Sequence, residues 1–464
     1  MIQKLKPYPA YKDSGVEWLG KVPEGWKIRP GRALFKEIIE RGHTNEQLLS
    51  VTITKGVILQ VELFSHTSKK DSSNEDKSAY KLVEPGDLVY NKMRAWQGAV
   101  GVSTYRGLVS PAYIVQRLRD PYDLPCYFHY LLRTPHFAKE AERWSYGITS
   151  DQWSLRSEDF KGVLFPYPST NEQRAIVKFI DWTDRRIRLI IAARKKRIQL
   201  LEEYRQTLIN DAVTGKFDVR TGKPYPAYKD SGVEWLGNVP EGWEVVRLKR
   251  IARLAYGDSL PADKRSEGGI TVFGSNGPVG HHDQTNTLVP VIIVGRKGSF
   301  GKVQYSFYPV YAIDTTFYID SRHTEVDLRW LYYMLTQLEL DRISRDSAVP
   351  GLDREEVYAK PAPLPPLPEQ RAIAEYLDRE TKKVDATIEK TKKSIELWEE
   401  LRATLIADVV TGKLDVREVA EGLPEEEPEL TAKIEAFEAS LQANEAGVDE
   451  GAAEGEEATL EETA

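Results

Sequence analysis

Cysteine is nearly missing from this chain. Cys126 is the one thiol in 464 residues. That excludes an internal disulfide and a cysteine-rich zinc site. Long apolar runs are missing too. No uninterrupted stretch approaches the roughly 20 residues a membrane helix needs, and the start, Met1-Ile2-Gln3-Lys4, lacks the apolar core of a signal peptide. The expectation is a cytoplasmic protein with no membrane contact. Chemistry-bearing motifs are equally scarce. The run Gly295–Lys302 has the wrong glycine spacing for a phosphate loop, and Val303 stands where Ser or Thr is required. Gly274, Gly277 and Gly280 are spaced by threes and do not form a dinucleotide fingerprint. Adjacent side chains diverge, so His281-His282 is a poor metal pair. There is no Asn-Pro-Pro-aromatic methyltransferase motif, no nucleophile elbow and no persuasive nuclease carboxylate cluster. Nothing here argues for catalysis, a cofactor or a metal in this chain.

What is present is an ordinary globular composition, 41% hydrophobic and 29% charged. It excludes a wholly disordered chain and a collagen-like fibre. Length alone suggests about three units. The net charge of −7 is unevenly spread. Residues 418–464 hold 15 Glu, one Asp and one Lys, a charge of −15, leaving +8 on residues 1–417. A basic body with an acidic tail hints at nucleic acid.

The chain also repeats itself. Residues 6–26, KPYPAYKDSGVEWLGKVPEGW, recur at 223–243 with one difference, Lys21 against Asn238. Glu172-Gln173-Arg174-Ala175-Ile176 recurs as Glu369-Gln370-Arg371-Ala372-Ile373, and the same offset aligns Thr214-Gly215-Lys216 with Thr411-Gly412-Lys413. Between these near-identical frames stand two unlike blocks, about 27–164 and 244–363. Drift after duplication would have blurred the frames as well. The frames therefore do one job twice, and the inserts do two different jobs.

Both closing segments follow proline-rich stretches, which suit a helix start, and both end at a glycine stop. Thr170 suits a capped start in the first. Ile180, Ile187, Ile191, Ile198, Leu201 and Leu208 fall on one stripe, and Leu377, Val384, Ile388, Ile395, Trp398 and Leu405 occupy the equivalent positions. From 187 the spacing alternates four and three, the seam of a coiled coil, broken at Arg194 and Thr391. A span of ~39 residues makes a rod of roughly 58 Å. Residues 172–210 carry 10 basic and 5 acidic side chains. That excess suits a more acidic partner surface.

Each block places a basic, aromatic and small-polar loop between strands. In the first, Pro85-Gly86-Asp87 turns into a strand at 88–90, Lys92–Gly98 follows, and 108–115 reads as one further strand. In the second, a strand at 289–294 runs into Gly295–Lys302, and another covers 315–319. Such loops suit DNA, because Arg and Lys meet phosphates and guanine edges while Asn and Gln read adenine. The candidate base-contact residues are Lys92, Arg94, Trp96 and Gln97 in the first block. In the second they are Asn276, Arg296, Lys297, Ser299 and Lys302. A solvated basic hairpin has the same composition.

These motifs resemble the specificity subunit of a type I restriction–modification enzyme. The carriers are Tyr-Lys-Asp-Ser-Gly-Val-Glu-Trp-Leu-Gly at 11–20 and 228–237, Val-Pro-Glu-Gly-Trp at 22–26 and 239–243, and Pro-Pro-Leu-Pro-Glu-Gln-Arg at 365–371. Lys92–Gly98, Gly274–Gly277 and Gly295–Gly298 also carry it, and the resemblance covers residues 6–417. It implies an α+β architecture: two mixed α/β target-recognition domains separated by two long helices paired as an antiparallel coiled coil, with an internal pseudo-two-fold repeat. The domains fall at 1–164 and 218–363, the helices at 165–217 and 364–417, and an acidic, solvated, disordered tail at 418–464. It further implies a non-catalytic chain whose inserts each read half of a split, asymmetric site on double-stranded DNA. The helices would set the spacing and dock two methyltransferase subunits, which methylate adenine. Motor–nuclease subunits would complete the complex. S-adenosylmethionine, ATP and Mg would belong to those partners. The tail departs from the family. It either competes with DNA for basic surface or, through Leu430, Ile434, Phe437 and Leu441, forms one short amphipathic helix. Competing readings are an enzyme acting alone and a coiled-coil scaffold without DNA specificity.

Overall fold

The computed structural model describes residues 5–64, 76–147, 153–342, 351–424 and 427–453. The chain divides into two compact units. One comprises residues 1–194 and 393–442, the other chiefly residues 195–392. Two 44-residue helices, α1 (Thr170–Val213) and α2 (Leu367–Val410), contribute residues to both.

In the first unit a four-stranded sheet is built from β1 (Phe35–Glu37), β2 (Leu88–Asn91), β3 (Val100–Val102) and β4 (Tyr113–Leu118) in the order β1-β4-β2-β3. The second unit holds β5 (Ala255–Tyr256), β6 (Val291–Gly295), β7 (Val303–Ser306) and β8 (Thr316–Ile319) in the order β5-β8-β6-β7. The topology is the same, and every pairing is antiparallel. The segment read as one strand at 108–115 is two, Gly107–Val109 and Tyr113–Leu118. Pro111 cannot donate to a ladder, and the Ser110-Pro111-Ala112 turn separates them.

A helix at Pro125–Leu132 in the first unit and one at Leu328–Leu335 in the second supply core side chains such as Phe128, Leu131, Trp330 and Met334, all fully buried. Each unit closes its core with both long helices. In the first, Ile176 and Ile180 join Leu405, Val409 and Val410. In the second, Leu208, Ala212 and Val213 join Ile373 and Leu377. The start of α1 thus packs with the end of α2, and the end of α1 with the start of α2, so the pair is antiparallel. Flanking ion pairs agree: Arg402 with Asp184 in the first unit, and Arg205 with Asp385 at 3.2 Å in the second.

The repeated frame is explained by what it holds. Trp26 Nε1 donates to Glu172 Oε1 at 2.8 Å, and Trp243 Nε1 donates to Glu369 Oε2 at 2.6 Å. The buried amide of Gln173 accepts from Leu124 N, and that of Gln370 accepts from Asp327 N, each tying down the loop that leads into a helix. Tyr130 donates to Asp181, as Tyr333 does to Asp378. Both glycine stops are also sites of close approach. A Cβ on Gly215 would lie 2.6 Å from Pro240 Cδ, and one on Gly412 would lie 2.4 Å from Pro23 Cδ. The first opening motif is thus completed by the end of α2, and the second by the end of α1. The cap of α1 is Ser169 rather than Thr170: its Oγ accepts from Glu172 N at 3.4 Å, and Thr170 lies within the helix.

The expectation of a solvated tail is corrected for its first part. A short helix at Arg417–Glu421 is followed by α3 (Pro428–Ala453). Ile434 and Leu441 are buried. Arg186 forks onto Glu427 at 2.7 and 2.8 Å, and Arg188 onto Glu438 at 3.0 and 2.5 Å. The basic excess of α1 has found its acidic surface within the same chain. Residues 454–464 lie outside the described residues. Among the described residues no helix is long and apolar enough to cross a membrane.

Candidate nucleic-acid interface

In both units the loop singled out from composition connects the same two strands of the same sheet. The β2–β3 connection carries Lys92, Arg94, Trp96 and Gln97. The β6–β7 connection carries Arg296, Lys297, Ser299 and Lys302.

The first loop is shaped from within. Asn91 Oδ1 accepts from Met93 N at 3.0 Å, and Trp96 Nε1 donates to Met93 O at 3.0 Å. Ala95 is buried beneath a single 3-10 turn, Ala95–Gln97. The half-buried Trp96 ring meets Trp153 edge-on at 5.6 Å. Trp96 is therefore pinned. Arg94 and Gln97 are exposed, and Lys92 is half-buried. Among the described residues, the side chains of these last three make no hydrogen bond or ion pair. Behind them lies a cation that the sequence reading missed. Lys81 is buried and donates to Tyr113 O at 2.7 Å. Burial holds its ammonium below the usual lysine range; Glu37 opposes this, while Arg41 and Lys92 push it further down. Lys92 of the loop is thus close enough to Lys81 for the two ammonium groups to repel each other.

The second loop gathers all five of its candidates. Lys302 Nζ donates to the carbonyl and the side-chain oxygen of Asn276 at 3.0 and 2.8 Å, clasping the turn at Ser275-Asn276 to the loop. A Cβ on Gly295 would lie 2.4 Å from Ser299 O, so glycine is required there. The half-buried Arg296 donates to Asp314 O at 2.8 Å and lies over the rings of Tyr256 and Phe317 at 4.9 and 5.8 Å. Arg354 shares the Tyr256 ring at 4.9 Å, a residue with no periodicity or motif to announce it. Lys297 and Ser299 remain exposed. The arrangement separates residues that shape each loop (Trp96, Arg296, Lys302 with Asn276) from those that face solvent (Arg94, Gln97, Lys297, Ser299).

The seam residues lie as follows. In the first unit Ile180, Ile187, Ile395 and Leu405 are buried, and Ile191 and Trp398 are half-buried. In the second Leu208, Leu377, Val384 and Ile388 are buried, with Ile198 and Leu201 half-buried. Thr391 is buried and turns its hydroxyl onto Thr387 O at 2.7 Å, so the break in the stripe satisfies itself. Among the described residues no group of three or more His, Cys, Asp or Glu side chains is placed to hold a metal.

Two similar units, each with a basic loop on the same hairpin and both sharing two long helices, define a duplicated sheet-and-helix architecture. The chain is similar to the specificity subunits of type I restriction–modification systems. Residues 240–397 match the type I restriction modification DNA specificity domain. The chain is 24% identical over 439 residues to a Methanocaldococcus jannaschii protein named for the MjaX specificity subunit, covering 86% of this chain and 96% of that protein. It is 22% identical over 352 residues to the EcoDI specificity subunit of Escherichia coli, covering 70% and 78%. A solved structure from a study of type I R-M assembly and conformational transition shares the fold, with a TM-score of 0.65 at 17% identity, covering 84% of this chain and 98% of that one.

Proposed function

We propose that this chain is the non-catalytic DNA-recognition subunit of a type I restriction–modification complex. Each unit reads one half of a split, asymmetric site through its hairpin loop. The paired helices set the half-site spacing and dock two methyltransferase subunits, which methylate adenine using S-adenosylmethionine. Motor–nuclease subunits, using ATP and Mg, cut unmodified DNA. The observation that carries this reading is the same four-stranded sheet presenting two unlike basic loops: a shared frame with different readers suits two different half-sites. The cytoplasm, where such DNA is met, is the proposed location.

The test is methylation mapping at single-base resolution, with this chain co-expressed beside its methyltransferase subunit and the methyltransferase alone as control. The expected result is a split motif with two unlike halves that needs this chain. Methylation that ignores this chain would overturn the reading in favour of a scaffold without DNA specificity.

A further inference from the structure

A second chain segment meets each hairpin loop, and it does so at equivalent residues. Leu155 N donates to Lys92 O at 2.9 Å, and Leu352 N donates to Arg296 O at 2.8 Å. Both leucines are buried. A six-residue helix follows in each copy, Ser157–Gly162 and Arg354–Ala359. Phe160 N donates to Arg156 O at 3.0 Å, as Val357 N does to Asp353 O at 3.1 Å. Phe160 and Val357 are both fully buried. The two copies therefore agree on the tie to the loop, the helix and its core anchor. They differ at the residue between tie and helix, which is Arg156 in the first and Asp353 in the second.

Folding accounts for the aspartate and not for the arginine. Asp353 is a preferred capping residue, and its Oδ1 accepts from Glu355 N at 2.8 Å. Arg156 has no acceptor and makes no cap, and its positive charge opposes the helix dipole. Its side chain is exposed and, among the described residues, makes no hydrogen bond or ion pair. What restrains it is the Tyr146 ring, 4.6 Å from the guanidinium carbon. Three residues before it, Trp153 meets Trp96 of the hairpin loop. The first copy thus carries a poor capping residue, held over a ring beside the candidate recognition loop. A phosphate contact carries no sequence information and would serve both half-sites alike, yet Asp353 would repel a phosphate at the equivalent place. A base contact must differ between readers of unlike half-sites. A guanidinium, all donors, matches the two acceptors O6 and N7 on the major-groove edge of guanine. We propose that Arg156, restrained by Tyr146, reads a guanine in the half-site of the first unit. This rests on the reading above, in which the hairpin loops meet DNA, and it adds a second chain segment to the reading surface of that unit.

The test is methylation mapping of the full chain, co-expressed with its methyltransferase subunit, as wild type, Arg156→Ala and Arg156→Lys. In both variants one G·C position in a single half-site should become degenerate, its discrimination falling by roughly ten- to a hundredfold. Lysine should not restore it, because a point charge lacks the guanidinium fork. The other half-site and the spacer should be unchanged. Arg156→Asp, which installs the cap of the second copy, should unfold at a temperature no lower than wild type. A motif that stays sharp in Arg156→Ala would overturn the inference while leaving the wider reading intact. Weaker methylation at every sequence alike, restored by lysine, would overturn it in favour of a phosphate contact. A lower unfolding temperature in Arg156→Asp would overturn it in favour of a structural role. A wild-type chain that yields no split motif removes the reading and the inference together.

Discussion

Arg94 and Lys297 are exposed cations without a side-chain hydrogen bond among the described residues, and they differ in kind from Trp96 and Arg296, which spend their polar groups inside the loops. Replacing Arg94 or Lys297 by Ala should cost about 1–3 kcal/mol of binding if the side chain reads a base, on the cognate site and far less on a non-specific duplex. A competition assay with both duplexes measures this, and equal loss on the two would mark a phosphate contact instead. A second residue-scale expectation concerns pH. His129 sits in the helix at Pro125–Leu132, and its Nδ1 accepts from Val102 N at 3.1 Å. Burial first, then Arg133, push its pKa down to about 4. The folded protein therefore resists protonating it, while the unfolded chain takes the proton near pH 6.5. Stability from this group is complete above pH 6.5 and is lost as pH falls toward 4, at up to about 1.4 kcal/mol per pH unit. Denaturant titrations at pH 7, 5.5 and 4.5 should show that slope in the wild type and a shallower one in His129→Gln. Parallel curves would remove His129 as the cause.

At the scale of elements, the most informative contact is the one between α3 and the arginines of α1. Arg186 and Arg188 are neutralised by Glu427 and Glu438, and Arg185 lies 3.5 Å from Glu427. Removing residues 424–464 uncovers these three cations. Non-specific duplex binding should then tighten, and the salt dependence should steepen by up to about 2.7 in log–log slope, close to 0.9 for each cation that reaches a phosphate. Titrations at several salt concentrations decide it: an unchanged slope would mean that the tail covers a surface DNA never meets.

The elements also differ in how legible they were in the sequence. The long helices announced themselves, because one stripe recurred in both copies and glycine stopped each. The tail helix was visible only as Leu430, Ile434, Phe437 and Leu441, and its composition pointed to solvent. What holds it is tertiary: bidentate arginines on another helix, which no local pattern encodes. The shared sheet was hidden for a different reason. β2 and β6 are buried on both faces over most of their length and show no alternation, so nothing ties Leu88–Asn91 to Val291–Gly295 until the pairing is seen. The loops were found by composition, but composition could not say that Lys302 and Asn276 bind each other rather than a base.

At the scale of the molecule, the proposed function makes the helices a ruler, and a ruler can be lengthened. A heptad inserted at equivalent points, after Arg194 in α1 and after Thr391 in α2, keeps the seam in phase, because the apolar stripe repeats every seven residues. Seven residues add about 10.5 Å of helix, close to three base pairs of duplex at ~3.4 Å each. The recognition loops lie far along the chain from the insertion and keep their sheets. Methylation mapping of the lengthened chain should therefore return the same two half-sites with a spacer about three base pairs longer. Inserting in one helix alone should abolish methylation, since the two seams then fall out of register. If the doubly lengthened chain methylates at the original spacing, the helices do not measure the site, and the distance between half-sites must be set by the partners instead.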